Sequence, residues 1–226
     1  MTTLAIFDLD NTLLAGDSDY LWGKFLGERG LVDAQAYEAE NLRYYEDYTR
    51  GVLDILEFLS FSLRPLTQFS LDELAELHKE FMANKILPII TPASRKLLAH
   101  HRAGGHFLLI ITATNQFITA PIAEALGVDD LIATQAEVHS ERYTGRVVGE
   151  PSFREGKIIR LKQWLDKHRY NLADSWFYSD SHNDLPLLEW VSHPVAVDPD
   201  ETLANHARIK QWPIITLRGS EPEPLP

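Results

Sequence analysis

Short apolar segments rich in Val, Ile and Phe recur at residues 3–8, 106–112, 131–138, 174–179, 193–197 and 212–217. Between them lie longer stretches with apolar residues at helical spacing, at 92–103, 115–126, 155–169, 182–190 and 200–209. Strands and helices in alternation predict a mostly parallel sheet with helices on its faces. Gly104-Gly105 and Gly127 stand where helix C-termini use left-handed residues.

The rhythm breaks after the first strand. Residues 17–87 carry only helical patterning, with Leu21, Phe25 and Leu26 at helix spacing and then Leu53, Leu56 and Leu59-Ser60-Phe61. Ser70-Leu71-Asp72-Glu73 has the form of a capping box and predicts a helix running toward Leu87-Pro88. The pattern predicts an all-helical insertion at 16–88, set into an α/β core made of 1–15 and 89–226, with hinges near Ala15-Gly16 and from Pro88 to Pro92. A hairpin is expected at Tyr143-Thr144-Gly145-Arg146, and the tail from Gly219 to Pro226 is expected to be extended or disordered.

At 226 residues the chain is long enough for one large domain or one domain with an insertion. A formal net charge of -12 with no offsetting basic cluster argues against nucleic-acid binding. No apolar run has the length of a membrane span, and the N-terminus lacks the pattern of a signal peptide, so no membrane association and a cytoplasmic location are expected. The absence of cysteine excludes disulfides, thiolate metal sites and cysteine nucleophiles.

In an open parallel sheet, ligands sit beyond the carboxyl ends of the strands. The first strand ends in Asp8-Leu9-Asp10-Asn11-Thr12, where the two carboxylates face one small volume and need a cation or a proton to coexist. The second ends in Thr112-Ala113-Thr114-Asn115, hydroxyls and an amide opening a helix whose N-terminus suits an anion. Glu155-Gly156-Lys157 opens another helix, and Ser179-Asp180-Ser181-His182-Asn183-Asp184 follows a later strand. Each has an ordinary reading alone: turn acids, helix caps, a solvated lysine. In this order they form the set that phosphoryl transfer to a carboxylate requires.

These four segments resemble the motifs of the haloacid dehalogenase-like superfamily, and within it the phosphoserine phosphatase-like subfamily IB with a helical cap. D-x-D-x-T is met by Asp8, Asp10 and Thr12, the strand-end hydroxyl by Thr112, the lysine by Lys157 and the last acidic motif by Asp180 to Asp184. The resemblance spans residue 4 to about residue 200. It implies a Rossmann-like parallel-sheet core flanked by helices, with an all-helical cap inserted after the first strand. It also implies that Asp8 is the nucleophile, that Asp10 protonates the leaving alcohol and then deprotonates water, and that a small phosphorylated metabolite is the substrate. Mg2+ is expected between Asp8, the backbone carbonyl of Asp10 and Asp180. Thr112 and Lys157 are expected to hold the phosphate, with Ala113 and Thr114 beside them and with Asn183 and Asp184 orienting Lys157 and the metal shell. Asp10 separates this pattern from relatives that cleave carbon–halogen or carbon–phosphorus bonds.

Asp17 lies where phosphoserine phosphatases place an acid for the substrate amine, and equally where a helix N-cap belongs. The cap arginine that meets the phosphoserine carboxylate has no counterpart in residues 51–63, which puts that substrate in doubt. Trp22, Tyr44, Tyr45 and Tyr48 are candidates for an aromatic pocket or for helical core. His100-His101 is expected at a solvated helix end and His182 in a solvent-facing loop. Two other readings stay open: a phosphotransferase to a second alcohol, and a phospho-accepting signalling module. The latter lacks a cap and places its nucleophile on a middle strand.

Overall fold

The computed structural model describes residues 2–219. Its centre is a seven-stranded sheet in the order β4-β3-β2-β1-β5-β6-β7. The elements in chain order are β1 (Leu4–Phe7), α1 (Ser18–Glu28), α2 (Ala34–Thr49), α3 (Ile55–Leu63), α4 (Leu71–Phe81), α5 (Pro92–Ala103), β2 (Phe107–Asn115), α6 (Gln116–Leu126), β3 (Asp130–His139) and β4 (Arg142–Val148). Then come α7 (Glu155–His168), β5 (Trp176–Ser179), α8 (Leu185–Leu188), β6 (His193–Val197), α9 (Glu201–Lys210) and β7 (Ile214–Ile215). Only the β3–β4 pair is antiparallel.

Strand β1 shows why the inner strands read as unbroken apolar runs. Ala5 and Phe7 enter the core on one face of the sheet, whereas Leu4 and Ile6 enter the core on the other. Helices cover both faces, so every side chain of the strand is buried. β1 pairs with β2 from Leu4 to Phe7 and with β5 from Ala5 to Phe7, which sets the ends of three strands side by side. The chain moves outward through β2 and β3, then returns to β5 on the other side of β1. Such a reversal opens a crevice at the strand ends.

Between β1 and β2 the described backbone is helical from α1 to α4. Asp17, Asp33, Asp54 and Ser70 each accept a hydrogen bond from an N–H in the first turn of their helix. The capping box between Ser70 and Glu73 is present on both sides. The insertion leaves and rejoins the sheet by two adjacent strands of chain: Leu14 bridges to Ile90, and Ala15 N donates to Ile89 O at 2.9 Å. On its far side, α3 and residues 64–68 pack against β4. Among the described residues, no helix is long and apolar enough to cross a membrane.

Several local expectations need correction. The hairpin turn falls at Ser140 and Glu141, both at positive φ (49° and 60°), and Tyr143 to Arg146 lie inside β4. β2 continues through Thr112 to Asn115 instead of ending at 112. The helix expected over 182–190 is a 3-10 turn, His182–Asp184, followed by the four-residue α8. The last strand is only Ile214–Ile215. His101 is buried rather than solvated, with Nε2 2.7 Å from the Tyr178 hydroxyl and Nδ1 2.8 Å from His106 Nδ1. Trp22 is core, packed against Phe25, His78, Phe81 and Phe117. Residues 220–226, the bulk of the expected tail, lie outside the described residues.

Candidate active site

Asp8 leaves β1 with its N–H donating to Tyr178 O of β5 at 2.9 Å, so the backbone of the sheet fixes where its carboxylate stands. Lys157 Nζ donates to Asp8 Oδ1 at 2.7 Å and to Asp184 Oδ2 at 2.8 Å, and the three side chains are only 4%, 7% and 2% exposed. The Ser179 hydroxyl donates to the same Asp184 oxygen at 2.7 Å. The glycine before Lys157 has a packing reason. A Cβ at Gly156 would lie 2.0 Å from Pro151 O, so a side chain there would displace the start of α7 and the lysine with it.

Asn11 takes a left-handed conformation (φ 53°), turning the chain so that Asp10 meets a different set of partners from Asp8. Asp10 Oδ1 accepts from Ser18 N at 2.6 Å, and its Oδ2 accepts from the Thr114 hydroxyl at 2.7 Å. Burial, reinforced by the charge of Asp17, raises Asp10 to about 7, and hydrogen bonds from Ser18 and Thr114 oppose the rise. Asp8 also rises to about 7, chiefly through burial, with Lys157 opposing and Asp184 adding to it. The Thr112 hydroxyl accepts from Thr114 N at 3.2 Å.

Next to Asp8, the Thr12 hydroxyl lies 2.9 Å from Asp180 Oδ1 and 3.5 Å from Asp8 Oδ2, so one residue spans two carboxylates. Burial and then the Asp8 charge push Asp180 well above the usual carboxylate range. Among the described residues, no three His, Cys, Asp or Glu side chains are grouped to hold a metal ion. The donors present are two carboxylates, and the Asp10 side chain is engaged elsewhere, which leaves that residue its main-chain carbonyl. An all-oxygen set with more negative charge than Lys157 balances fits a hard divalent cation.

Asp8, Asp10, Asp17, Thr112, Ala113, Thr114, Lys157, Asn183 and Asp184 all line one cleft. Asp180 stands behind its lining, reached through Thr12. Asp17 caps α1 through Tyr20 N at 2.9 Å and lines the cleft as well. Tyr44, Tyr45 and Tyr48 also face it, with Tyr20, Phe58 and Phe153. Two expectations fail here. Asn183 makes no hydrogen bond to Lys157: its amide accepts from Arg154 Nε at 2.9 Å and donates to Tyr48 O at 3.2 Å. His182 is not a free loop residue, since its Nδ1 lies 2.8 Å from Asp200 Oδ2 and its side chain is 20% exposed.

Arg154 and Asp19 were not legible as site residues. Arg154 sits at φ 50° just before α7 and bonds Asn183 and Gly51 O, tying the lysine helix to the end of α2. Its only sequence signal is its place before Glu155-Gly156-Lys157. Asp19 lines the cleft as the second residue of α1, and its signal is a second acid two positions after Asp17.

The model of the haloacid dehalogenase-like hydrolase family matches residues 5–189. The chain belongs to that family. A Neisseria meningitidis protein named histidinol-phosphatase is 49% identical over 222 residues, covering 96% of this chain and all of that one. A Mycobacterium tuberculosis protein named phosphoserine phosphatase is 32% identical over 228 residues, covering 96% of this chain and 72% of that one. Among solved structures, a Bordetella pertussis protein of unknown function superposes with a TM-score of 0.89 at 45% identity, covering 95% of this chain and 98% of that one. A substrate-bound phosphoserine phosphatase gives a TM-score of 0.71 at 18% identity, covering 98% of this chain and 95% of that one, a likeness of fold. The family and the α/β fold expected from the four motifs therefore hold, and the chain is a phosphoric monoester hydrolase of the family.

Proposed function

We propose that this haloacid dehalogenase-like hydrolase is a magnesium-dependent phosphomonoesterase that passes the phosphoryl group of a small metabolite through Asp8 to water, with residues 16–88 acting as a cap domain over the catalytic core. The observation that carries the reading is the buried Asp8–Lys157–Asp184 chain beside a separately held Asp10. Asp8 Oδ attacks phosphorus, the new Asp8 O–P bond forms and the ester O–P bond breaks. Asp10 gives its proton to the departing alcohol oxygen. In the second half Asp10 takes a proton from water, the water oxygen displaces Asp8, and inorganic phosphate leaves with Asp8 and Asp10 restored. A value near 7 lets Asp10 serve in both directions at neutral pH.

Lys157 and the Thr112 hydroxyl carry charge and hydrogen bonds to the transferring oxygens, with Ala113 beside them and Thr114 N–H holding the Thr112 hydroxyl in place. Asp8, Asp180 and the Asp10 carbonyl would hold Mg2+, which when bound neutralises negative charge on the phosphate and keeps Asp8 ionised. Asp184 fixes Lys157 rather than touching substrate. Asn183 and Asp17 belong at the leaving-group side, where the helical insertion closes against the core and excludes bulk water.

Histidinol phosphate is the first ester to test, because the Neisseria relative bears that activity in its name. Phosphoserine fits less well: Lys157 is the one lysine or arginine among the cleft's lining residues, and it is committed to Asp8 and Asp184, leaving a carboxylate no cationic partner among them. The test is a phosphate-release screen over phosphorylated metabolites with Mg2+, using Asp8→Asn as the blank. Release that depends on Asp8 supports the reading. Equal release by the Asp8→Asn protein overturns it.

A further inference from the structure

Near the end of the described residues, the chain returns to the turn that carries Asp10. Arg218 Nη2 donates to Asn11 O and Nη1 lies 3.4 Å from Thr12 O, so one guanidinium holds two successive peptide planes. The arginine is itself anchored. Asp198, at φ 43° just after β6, accepts from the Thr216 hydroxyl at 2.6 Å and from Leu217 N at 2.9 Å, and its Oδ2 lies 3.5 Å from Arg218 Nη1. From the start of α5, where the insertion rejoins the core, the Thr91 hydroxyl donates to Leu217 O at 2.7 Å.

Thr12 lies between the two planes that Arg218 holds, so fixing both carbonyls fixes its φ and ψ and the direction of its side chain. That side chain joins the candidate cation ligands: its hydroxyl lies 2.9 Å from Asp180 Oδ1 and 3.5 Å from Asp8 Oδ2, and accepts from Asp180 N at 3.1 Å. On the other side of Asn11 stands the peptide plane of the Asp10 carbonyl. Asn11 sets that plane at φ 53°, where a non-glycine residue stays only if its surroundings hold it. The loop that anchors Arg218 also braces the second carboxylate, since Asp200 N donates to Asp180 O at 2.9 Å. Arg218 is not among the residues lining the cleft, so its reach into the chemistry is through the turn.

We propose that Arg218, anchored by Asp198, is a positioning residue for the divalent-cation site, holding the Asn11–Thr12 turn so that Asp8, Asp180 and the Asp10 carbonyl stand in place to receive the ion. This deepens the magnesium-dependent reading and rests on it. Residues that orient metal ligands from outside ordinarily contribute about ten- to a hundredfold in metal affinity. A planar fork on two carbonyls is a geometry that the single ammonium of lysine does not reproduce. A role confined to fastening this end of the chain would lower stability without changing the response to metal.

The experiment titrates Mg2+ alone, with no ester present, into wild type, Arg218→Gln and Arg218→Lys, and reads the rise in melting temperature with metal concentration. Arg218→Gln should need about tenfold more Mg2+ for the same rise, and Arg218→Lys a smaller excess. Phosphate release should show the same shift in half-saturating Mg2+, with kcat at saturating Mg2+ recovering to within about threefold of wild type. An Arg218→Gln protein that melts lower without metal, yet follows the wild-type Mg2+ curve within about twofold, overturns the proposal and leaves the phosphatase standing. A wild-type melting temperature that does not respond to Mg2+ overturns the magnesium site and the proposal together. Where Arg218→Gln does not fold, Asp198→Asn weakens the anchor and keeps the arginine; an unchanged Mg2+ curve there overturns the proposal as well.

Discussion

Replacing Lys157 by Met keeps an unbranched stem in place and removes the ammonium. In the native chain Nζ lies 2.7 Å from Asp8 and 2.8 Å from Asp184, with all three side chains almost fully buried. Breaking a buried ion pair costs about 3–5 kcal/mol when the abandoned charge stays ionised. Asp8 has another course, which is to take up a proton. Its folded-state pKa, already about 7 beside Lys157, rises further in the variant, so the folded variant binds more protons and its stability falls as pH rises. The deficit relative to wild type is therefore smallest below about pH 7 and grows above it by up to about 1.4 kcal/mol per pH unit until it reaches the cost of the bare charge. Urea unfolding in EDTA at about pH 5 and about pH 9 reads this directly, and the variant should lose about 3 kcal/mol more than wild type at the higher pH only. Turnover at neutral pH should fall at least about a hundredfold, the scale of one lost transition-state donor. A deficit equal at both pH values, or below about 1 kcal/mol, would refute the electrostatic account of this cluster.

Three further outcomes follow from other parts of the fold. Asp10→Asn should slow turnover by at least about a hundredfold and give a burst of alcohol from a good leaving group while phosphate release stalls, read by quenched-flow kinetics. His101, held down to about 3 by burial and by His106 and His100, accepts its proton in the unfolded chain near 6.5. Stability should thus be lost as pH falls below about 6.5, by up to about 1.4 kcal/mol per unit, and His101→Gln should flatten that slope in acid unfolding curves. Arg154→Gly removes the ties to Asn183 and Gly51 but relieves a residue at φ 50°; the melting temperature should hold within a few degrees while KM rises at least about threefold.

The candidate site residues could be picked out because strand ends and helix starts are local: alternation placed β1, β2 and β5, and chemistry-bearing residues follow each directly. Lys157 could be read for the same reason, standing at the first turn of α7. What the chain order hides is where one element packs on another. Asp19 and Arg154 take their places from the meeting of α1, α2 and the start of α7, and no periodicity within one helix reports it. His101 looked solvated because its neighbour His100 is, yet its face of α5 turns onto Phe7 and Tyr178. The hairpin turn was misplaced because Gly145, at φ 78°, looks like a turn glycine but serves a strand that passes close to Thr67. Asn183 was assigned to the lysine by its motif, while its amide in fact bridges to Tyr48 and Arg154.

The central claim is that phosphate passes through the Asp8 carboxylate. It is tested most directly by mixing the wild-type protein with Mg2+ and a hydrolysable ester, quenching in acid within one turnover, and locating the phosphoryl group by peptide mass spectrometry. The account predicts an acid-trapped, hydroxylamine-sensitive phosphoryl group on Asp8, accumulating further in Asp10→Asn. Turnover with no phosphoryl group on Asp8, or the same label on another residue in Asp8→Asn, would contradict it.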